Sequence, residues 1–251
     1  MDLREYIVAG SKRHPWETSR VKAVKSLLRT VIHRDLSVLD IGCGDGYLCR
    51  ELLKEGVKDI TALDINLSAG EIAEFAQHTP DITYLNDYAA LGQKKFDLIL
   101  LLDVMEHVKE DKEFLLELVD QKLSQRGHVL VTVPLFPILH SAHDRFLGHH
   151  RRYTLQSLAA LTESSRLQCL ASGYLFTSLL LPRLFSVFME TFFRMTPSYD
   201  TGVGNWSHGP FLTKIIESIL VGDNNVSLAM NRYNIKMPGL TGWILCKKPQ
   251  S

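Results

Sequence analysis

The stretch Leu39-Asp-Ile-Gly-Cys-Gly-Asp-Gly-Tyr47 constrains the fold more than any other part of the chain. An apolar run enters Gly42, Gly44 and Gly46 and leaves into a helix-like segment, so the backbone can turn sharply and approach a ligand without Cβ interference. The spacing is G-x-G-x-G with Tyr47 following, so the dinucleotide fingerprint G-x-G-x-x-G is not met. A second apolar run, Ile60-Thr-Ala-Leu63, closes at Asp64, where a carboxylate can accept both hydroxyls of a ribose. Strand, glycine turn, helix and strand make a βαβ unit, and with it a parallel sheet.

The alternation continues beyond this unit. Ser68-Ala-Gly-Glu71 is a capping-box pattern that predicts a helix with Ile72, Phe75 and Ala76 inward, followed by a short strand at 82–85. Phe96-Asp-Leu-Ile-Leu-Leu-Leu102 is nearly unbroken in apolar character, as expected of a parallel strand covered on both faces. A helix with Phe114, Leu115, Leu118 and Val119 inward and a strand at 128–133 follow. An amphipathic helix leads the chain over 18–32. Residues 134–153 read as a loop, Thr154 caps a helix carrying Leu155, Leu158 and Leu161, and strands are predicted at 167–172 and 242–246. The predicted architecture is α/β: a doubly wound, mostly parallel seven-stranded sheet with a helical insert before the last strand. Four parts follow: a helical lid over 1–36, a core over 37–173, a helical and turn-rich insert over 174–240 and a last strand with tail over 241–251.

These residues resemble the Rossmann-like, class I S-adenosylmethionine-dependent methyltransferases. The resemblance rests on Leu39-Asp-Ile-Gly-Cys-Gly-Asp-Gly46, on Ala62-Leu-Asp64 and on Phe96-Asp-Leu-Ile-Leu-Leu-Leu-Asp-Val-Met-Glu-His-Val108. It implies S-adenosyl-L-methionine as cofactor and S-adenosyl-L-homocysteine as product. The implied cofactor contacts are Asp40, Gly42, Cys43, Gly44, Asp64, Ile65, Asp87, Tyr88 and Asp103, with Asp64 on the ribose and Asp87 beside the adenine amine. Helix capping or turn formation is the alternative role for Asp40, Asp64 and Asp87. Arg13-His-Pro-Trp-Glu-Thr-Ser-Arg20 is similar to a segment that lies across the cofactor mouth, which places Trp16 and Arg20 there, unless Trp16 only staples the helix start.

The loop after the fifth strand resembles a small-molecule branch of the same superfamily through His143-Asp144 and Gly148-His149-His150-Arg151-Arg152-Tyr153. His143, His107 and Tyr153 are the expected catalytic residues, and His140, Asp144, His149, Arg151 and Arg152 the expected acceptor contacts. The excess of arginine over acid there suits an anionic group on a small or lipid-like acceptor methylated at oxygen. Loop-stabilising hydrogen bonds are the structural alternative for the His-Asp pair and the Arg-Arg-Tyr run. His107 either faces the reaction centre or packs under the cofactor.

Two rival functions remain: a catalytically silent cofactor-binding subunit, and a metal-dependent enzyme built on the histidine loop. The histidines fall short of a recognised zinc spacing, so no metal is expected.

Composition narrows the partners. Lys and Arg total 28 against 28 Asp and Glu, which removes the broad attraction that nonspecific nucleic-acid binding needs, and no nucleic-acid partner is expected. Cys43, Cys49, Cys169 and Cys246 are scattered, and the N-terminus has no continuous apolar stretch, so reduced thiols and a cytoplasmic location are expected. Residues 174–193 are strongly apolar, but Pro182, Arg183 and Glu190 interrupt them short of a membrane span. A lid over an apolar substrate, peripheral membrane contact and a packing or dimer helix are the readings left, with monomer and homodimer both open.

Overall fold

A computed structural model describes residues 13–193, 206 and 208–249. The parts of the lid, insert and tail expectations that fall on 1–12, 194–205, 207, 250 and 251 lie outside the described residues. The strands are β1 (Ser37–Ile41), β2 (Asp59–Leu63), β3 (Ile82–Leu85), β4 (Phe96–Leu102), β5 (Leu123–Pro134), β6 (Gln168–Leu175) and β7 (Thr241–Lys247). The α-helices are α1 (Pro15–Leu27), α2 (Tyr47–Lys54), α3 (Ala69–His78), α4 (Asp111–Lys122), α5 (Ala142–Leu147), α6 (Leu155–Ser164), α7 (Leu180–Phe193) and α8 (Pro210–Asn231).

One sheet holds all seven strands in the order β3-β2-β1-β4-β5-β7-β6. The pairings from β3 to β5 are parallel, and β7 runs antiparallel between β5 and β6. The strand order reverses direction between β1 and β4, and the carboxyl ends flanking such a switch point open a crevice. The glycine loop leaves β1 there and Asp103 leaves β4.

Strand periodicity splits the core over the two faces of the sheet. Val38, Leu98 and Leu100 pack under α1 and α2 with Val24, Leu28, Leu48 and Leu52. Leu39, Ile99 and Leu101 pack on the other face with Leu115, Leu118 and Val119 of α4 and Leu158 and Leu161 of α6. Gly42 sits at φ +73°, and a Cβ there would lie 2.7 Å from Val104 Cγ2, so the turn after β1 admits no side chain.

The structure departs from the sequence expectations at Ala76 and over 134–153, and the leading helix runs Pro15–Leu27 rather than 18–32. Ala76 is exposed and α3 leans on half-buried Ile72 and Phe75 alone. The expected loop over 134–153 contains α5, begun by a capping box in which Ser141 and Asp144 exchange hydrogen bonds and ended by Gly148 at φ +80°. The insert is two helices, with α8 against α1 and β6. Asn224 of α8 accepts from Phe176 N (2.9 Å), and Ser227 donates to Tyr174 O (2.8 Å). No helix among the described residues is long and apolar enough to cross a membrane.

Candidate active site

Two cavities open at the carboxyl edge of the sheet and meet at Asp103, His107 and Leu147. The first, of about 570 Å³, is lined by Gly42, Asp64, Ile65, Asn66, Tyr88 and His107 among others. The second, of about 300 Å³, is lined by His14, Trp16, Arg20, Glu106, His143, His149, Arg152 and Arg183 among others.

On the first side, Asp64 is buried at the end of β2 and accepts from Gly44 N (3.1 Å), Asn66 N (3.0 Å) and Asn66 Nδ2 (3.2 Å). One carboxylate thus fixes the glycine loop and faces the cavity. Asp40 does not reach it. It sits behind the loop, where Cys49 Sγ donates to its Oδ2 (3.3 Å) and burial pushes its carboxyl up to about 6. It borders only a water-sized space of about 20 Å³, together with Cys43, Arg20 and Asp45. Asp87 is exposed, accepts from Ala89 N (2.9 Å) as a helix cap and does not line the cavity, whereas its neighbour Tyr88 does.

Asp103 marks the junction. It holds φ +56°, an uncommon left-handed conformation for a non-glycine residue. Thr132 Oγ1 donates to its Oδ1 (3.1 Å), and Arg20 pairs with its Oδ2. Burial opposes ionisation, but the Arg20 guanidinium overrides it and holds Asp103 below the usual carboxylate range. Arg20 stacks against Trp16 (4.8 Å to the ring), so the first turns of α1 close one wall of the second cavity.

The second cavity is organised by a carboxylate that does not line it. Asp144 is fully buried and accepts from Arg152 Nε (2.7 Å), Arg183 Nη2 (2.8 Å) and His149 Nδ1 (3.0 Å). Burial works against its charge, yet the hydrogen bond from His149 and the two guanidiniums hold it far below the ordinary range. Asp144 does not line the cavity; it is the post on which His149, Arg152 and Arg183 are mounted, the loop-stabilising alternative. His140 likewise lines neither cavity, and its Nε2 donates to His149 O (3.3 Å). Arg151 pairs with Asp111 (2.9 Å) outside both. The buried hydroxyl of Tyr153 lies 3.0 Å from Met105 O and 2.7 Å from Asp111 Oδ2, its one proton serving either acceptor, so that it ties the loop to the turn after β4 and to α4, and Tyr153 lines neither cavity. Burial and the Asp111 bond drive that phenol far above its usual range.

His143 lines the second cavity, and burial followed by the nearby Arg183 charge lowers it, so its imidazole is neutral at pH 7. His14 caps α1 through Trp16 N (3.1 Å) and rests against Trp206 (4.7 Å), and burial lowers it to about 4. Glu106, beside His107, is 1% exposed, and burial followed by the Asp103 charge pushes its carboxyl well above the usual range. Glu106, His107 and His149 bring donor atoms within 4.8 Å of one another.

Sequence reasoning missed His14, Glu106 and Arg183. Glu106 was visible only as the partner of His107 in a Glu-His pair. Arg183 carried a signal, a lone arginine in an apolar run, but nothing local tells that it turns inward to Asp144.

A family model described as "Methyltransferase domain" matches residues 16–172. The ubiquinone biosynthesis O-methyltransferase of Rickettsia bellii is 30% identical over 102 residues, a match covering 39% of this chain and 42% of that protein, less than half of either. Among solved structures, a putative sarcosine dimethylglycine methyltransferase from Galdieria sulphuraria superposes with a TM-score of 0.56 at 18% identity, covering 93% of this chain and 86% of that one. The N-methyltransferase NodS from Bradyrhizobium japonicum WM9, in complex with S-adenosyl-L-homocysteine, gives 0.54 at 15% identity, covering 95% and 90%. At such identities the structural likeness speaks to the fold.

Proposed function

This chain belongs to the methyltransferase-domain family, and from that premise we propose that it transfers a methyl group from S-adenosyl-L-methionine to an oxygen of a small or lipid-like acceptor. The junction of the two cavities at Asp103, His107 and Leu147 carries this reading. It gives a donor chamber and an acceptor chamber a shared wall where the two reacting atoms can align.

The donor chamber suits an adenosyl group on two counts. Asp64 faces it with a carboxylate already positioned by three hydrogen bonds, and Gly42 leaves backbone where a Cβ would collide. Asp64 holds the ribose hydroxyls, and Tyr88 and Ile65 flank the base. When bound, the cofactor supplies a sulfonium methyl that is already activated, so what remains for the protein is chiefly orientation.

On the acceptor side, His143 takes the proton from the attacking hydroxyl, a contribution of typically ~10²–10⁴-fold for a positioned general base. Its depressed basicity keeps it in the accepting form at neutral pH. Arg152 and Arg183 line the same chamber and favour an acceptor with an anionic group. The R. bellii relative's name supports oxygen as the methylated atom. The proposed location is the cytoplasm, with peripheral membrane contact through 174–193, where Leu181, Phe185 and Phe192 stand exposed on α7.

Incubating the protein and methyl-labelled cofactor with a cell extract tests this reading. A labelled small molecule formed together with S-adenosyl-L-homocysteine is the expected result. Tight cofactor binding with no homocysteine product across the extract and a panel of hydroxylated acceptors would reject catalysis in favour of a silent cofactor-binding subunit.

A further inference from the structure

Glu106, His107 and His149 come from two separate stretches, the 3-10 turn Met105–His107 after β4 and the segment following α5. Each offers one ligand atom, and these lie within 4.8 Å of one another. The rings of His107 and His149 meet edge to face, 4.7 Å apart and 80° inclined. Glu106 is buried, and its Oε2 has no hydrogen-bond partner among the described residues, a costly state for a buried carboxyl oxygen unless something else meets it.

His149 is not merely nearby. Its Nδ1 donates to Asp144 (3.0 Å), which leaves Nε2 as its ligating atom. Asp144 is in turn fixed by Arg152 and Arg183. A carboxylate behind an imidazole, setting its tautomer and orientation, is the supporting arrangement of metal-bound histidines.

We propose that Glu106, His107 and His149 bind a divalent transition-metal cation of the Zn²⁺ or Co²⁺ class at the wall shared by the two chambers. Two imidazoles and one carboxylate suit borderline cations, whereas Mg²⁺ prefers an all-oxygen, near-octahedral shell. Three protein ligands leave coordination positions open, and Glu106, His107 and His149 all line the acceptor chamber. A cation held there would lower the pKa of an acceptor hydroxyl docked beside it, and His143, which lines the same chamber, would take up the released proton. That role rests on the methyl-transfer reading; the binding of the cation does not.

The test is titration of the metal-free full-length protein with Co²⁺ and with Zn²⁺, by calorimetry and by the visible bands of bound Co²⁺. One equivalent per chain is expected, with affinity at least tenfold weaker in Glu106→Gln and in His149→Ala and unchanged in His150→Ala. If Glu106→Gln does not fold, His107→Gln takes its place. Absence of stoichiometric uptake of either metal by the folded wild type overturns the site, as does equal uptake by the folded variants, or a response confined to Mg²⁺. S-adenosylmethionine binding is measured on the same samples. Metal uptake lost with cofactor binding intact overturns this inference alone; cofactor binding lost with metal uptake intact overturns the functional reading and supports the site.

Discussion

Asp40 and Asp64 flank the same glycine loop, and the structure gives them opposite tasks. Asp64 meets three donors at the rim of the donor chamber, whereas Asp40 lies behind the loop with one thiol donor. Its folded value of about 6 lies above the unfolded one, so it contributes stability that is complete below the ordinary carboxylate value and is lost as pH rises through about 6. A shift of that size corresponds to roughly 2–3 kcal/mol. Asp40→Asn is expected to flatten the fall of melting temperature between pH 4 and 7 and to equal or exceed the wild type in stability at pH 7 and above; denaturation curves across that range check it. The pair also shows what a sequence can carry. Asp40 stands two residues before Gly42 and Asp64 twenty residues after Gly44, and spacing alone does not say which side of the backbone each occupies.

At the scale of elements, the loop over 134–153 is the instructive case. Its histidines and arginines read as a ligand-binding set, but Ser141 and Asp144 form a capping box that nucleates α5, and Asp144 then collects Arg152 and Arg183. The capping box was legible as a four-residue pattern and was overshadowed by the His-Asp pair. Arg183 was not legible, because it arrives from α7 across 39 residues of chain. Asp144→Asn leaves the buried Arg152 and half-buried Arg183 guanidiniums without their countercharge, and a loss of ~3–5 kcal/mol in urea unfolding is expected. Tyr153→Phe removes the hydroxyl that bridges Met105 O and Asp111, while Asp111 keeps Arg151 and Met105 O keeps Val108 N. The expected cost is ~1–3 kcal/mol of stability with the turnover number unchanged. A fall in turnover with stability intact would return Tyr153 to the chemistry. The sheet itself was readable element by element, since parallel strands buried on both faces leave unbroken apolar runs such as Phe96–Leu102.

Over the whole molecule, the sheet edge gathers the chemistry and the insert carries the exposed apolar surface. Leu181, Phe185, Phe188 and Phe192 on α7 and Phe211 and Ile219 on α8 are exposed. Such a surface predicts that the protein co-sediments with phospholipid vesicles and that Leu181→Glu with Phe185→Glu reduces the bound fraction severalfold. Co-sedimentation unchanged in the double variant, with a dimer that it splits, would make the face a contact between two copies of the chain. The shared wall of the chambers stays the centre of the account, and it depends first on the donor chamber holding its cofactor through Asp64. Calorimetric titration with S-adenosyl-L-methionine tests this most directly. One binding site per chain is expected, with a loss of at least ~1.5 kcal/mol, about tenfold in affinity, in folded Asp64→Ala, because a charged hydrogen bond is removed. Absence of binding to the wild type, or affinity unchanged in the folded variant, would contradict it.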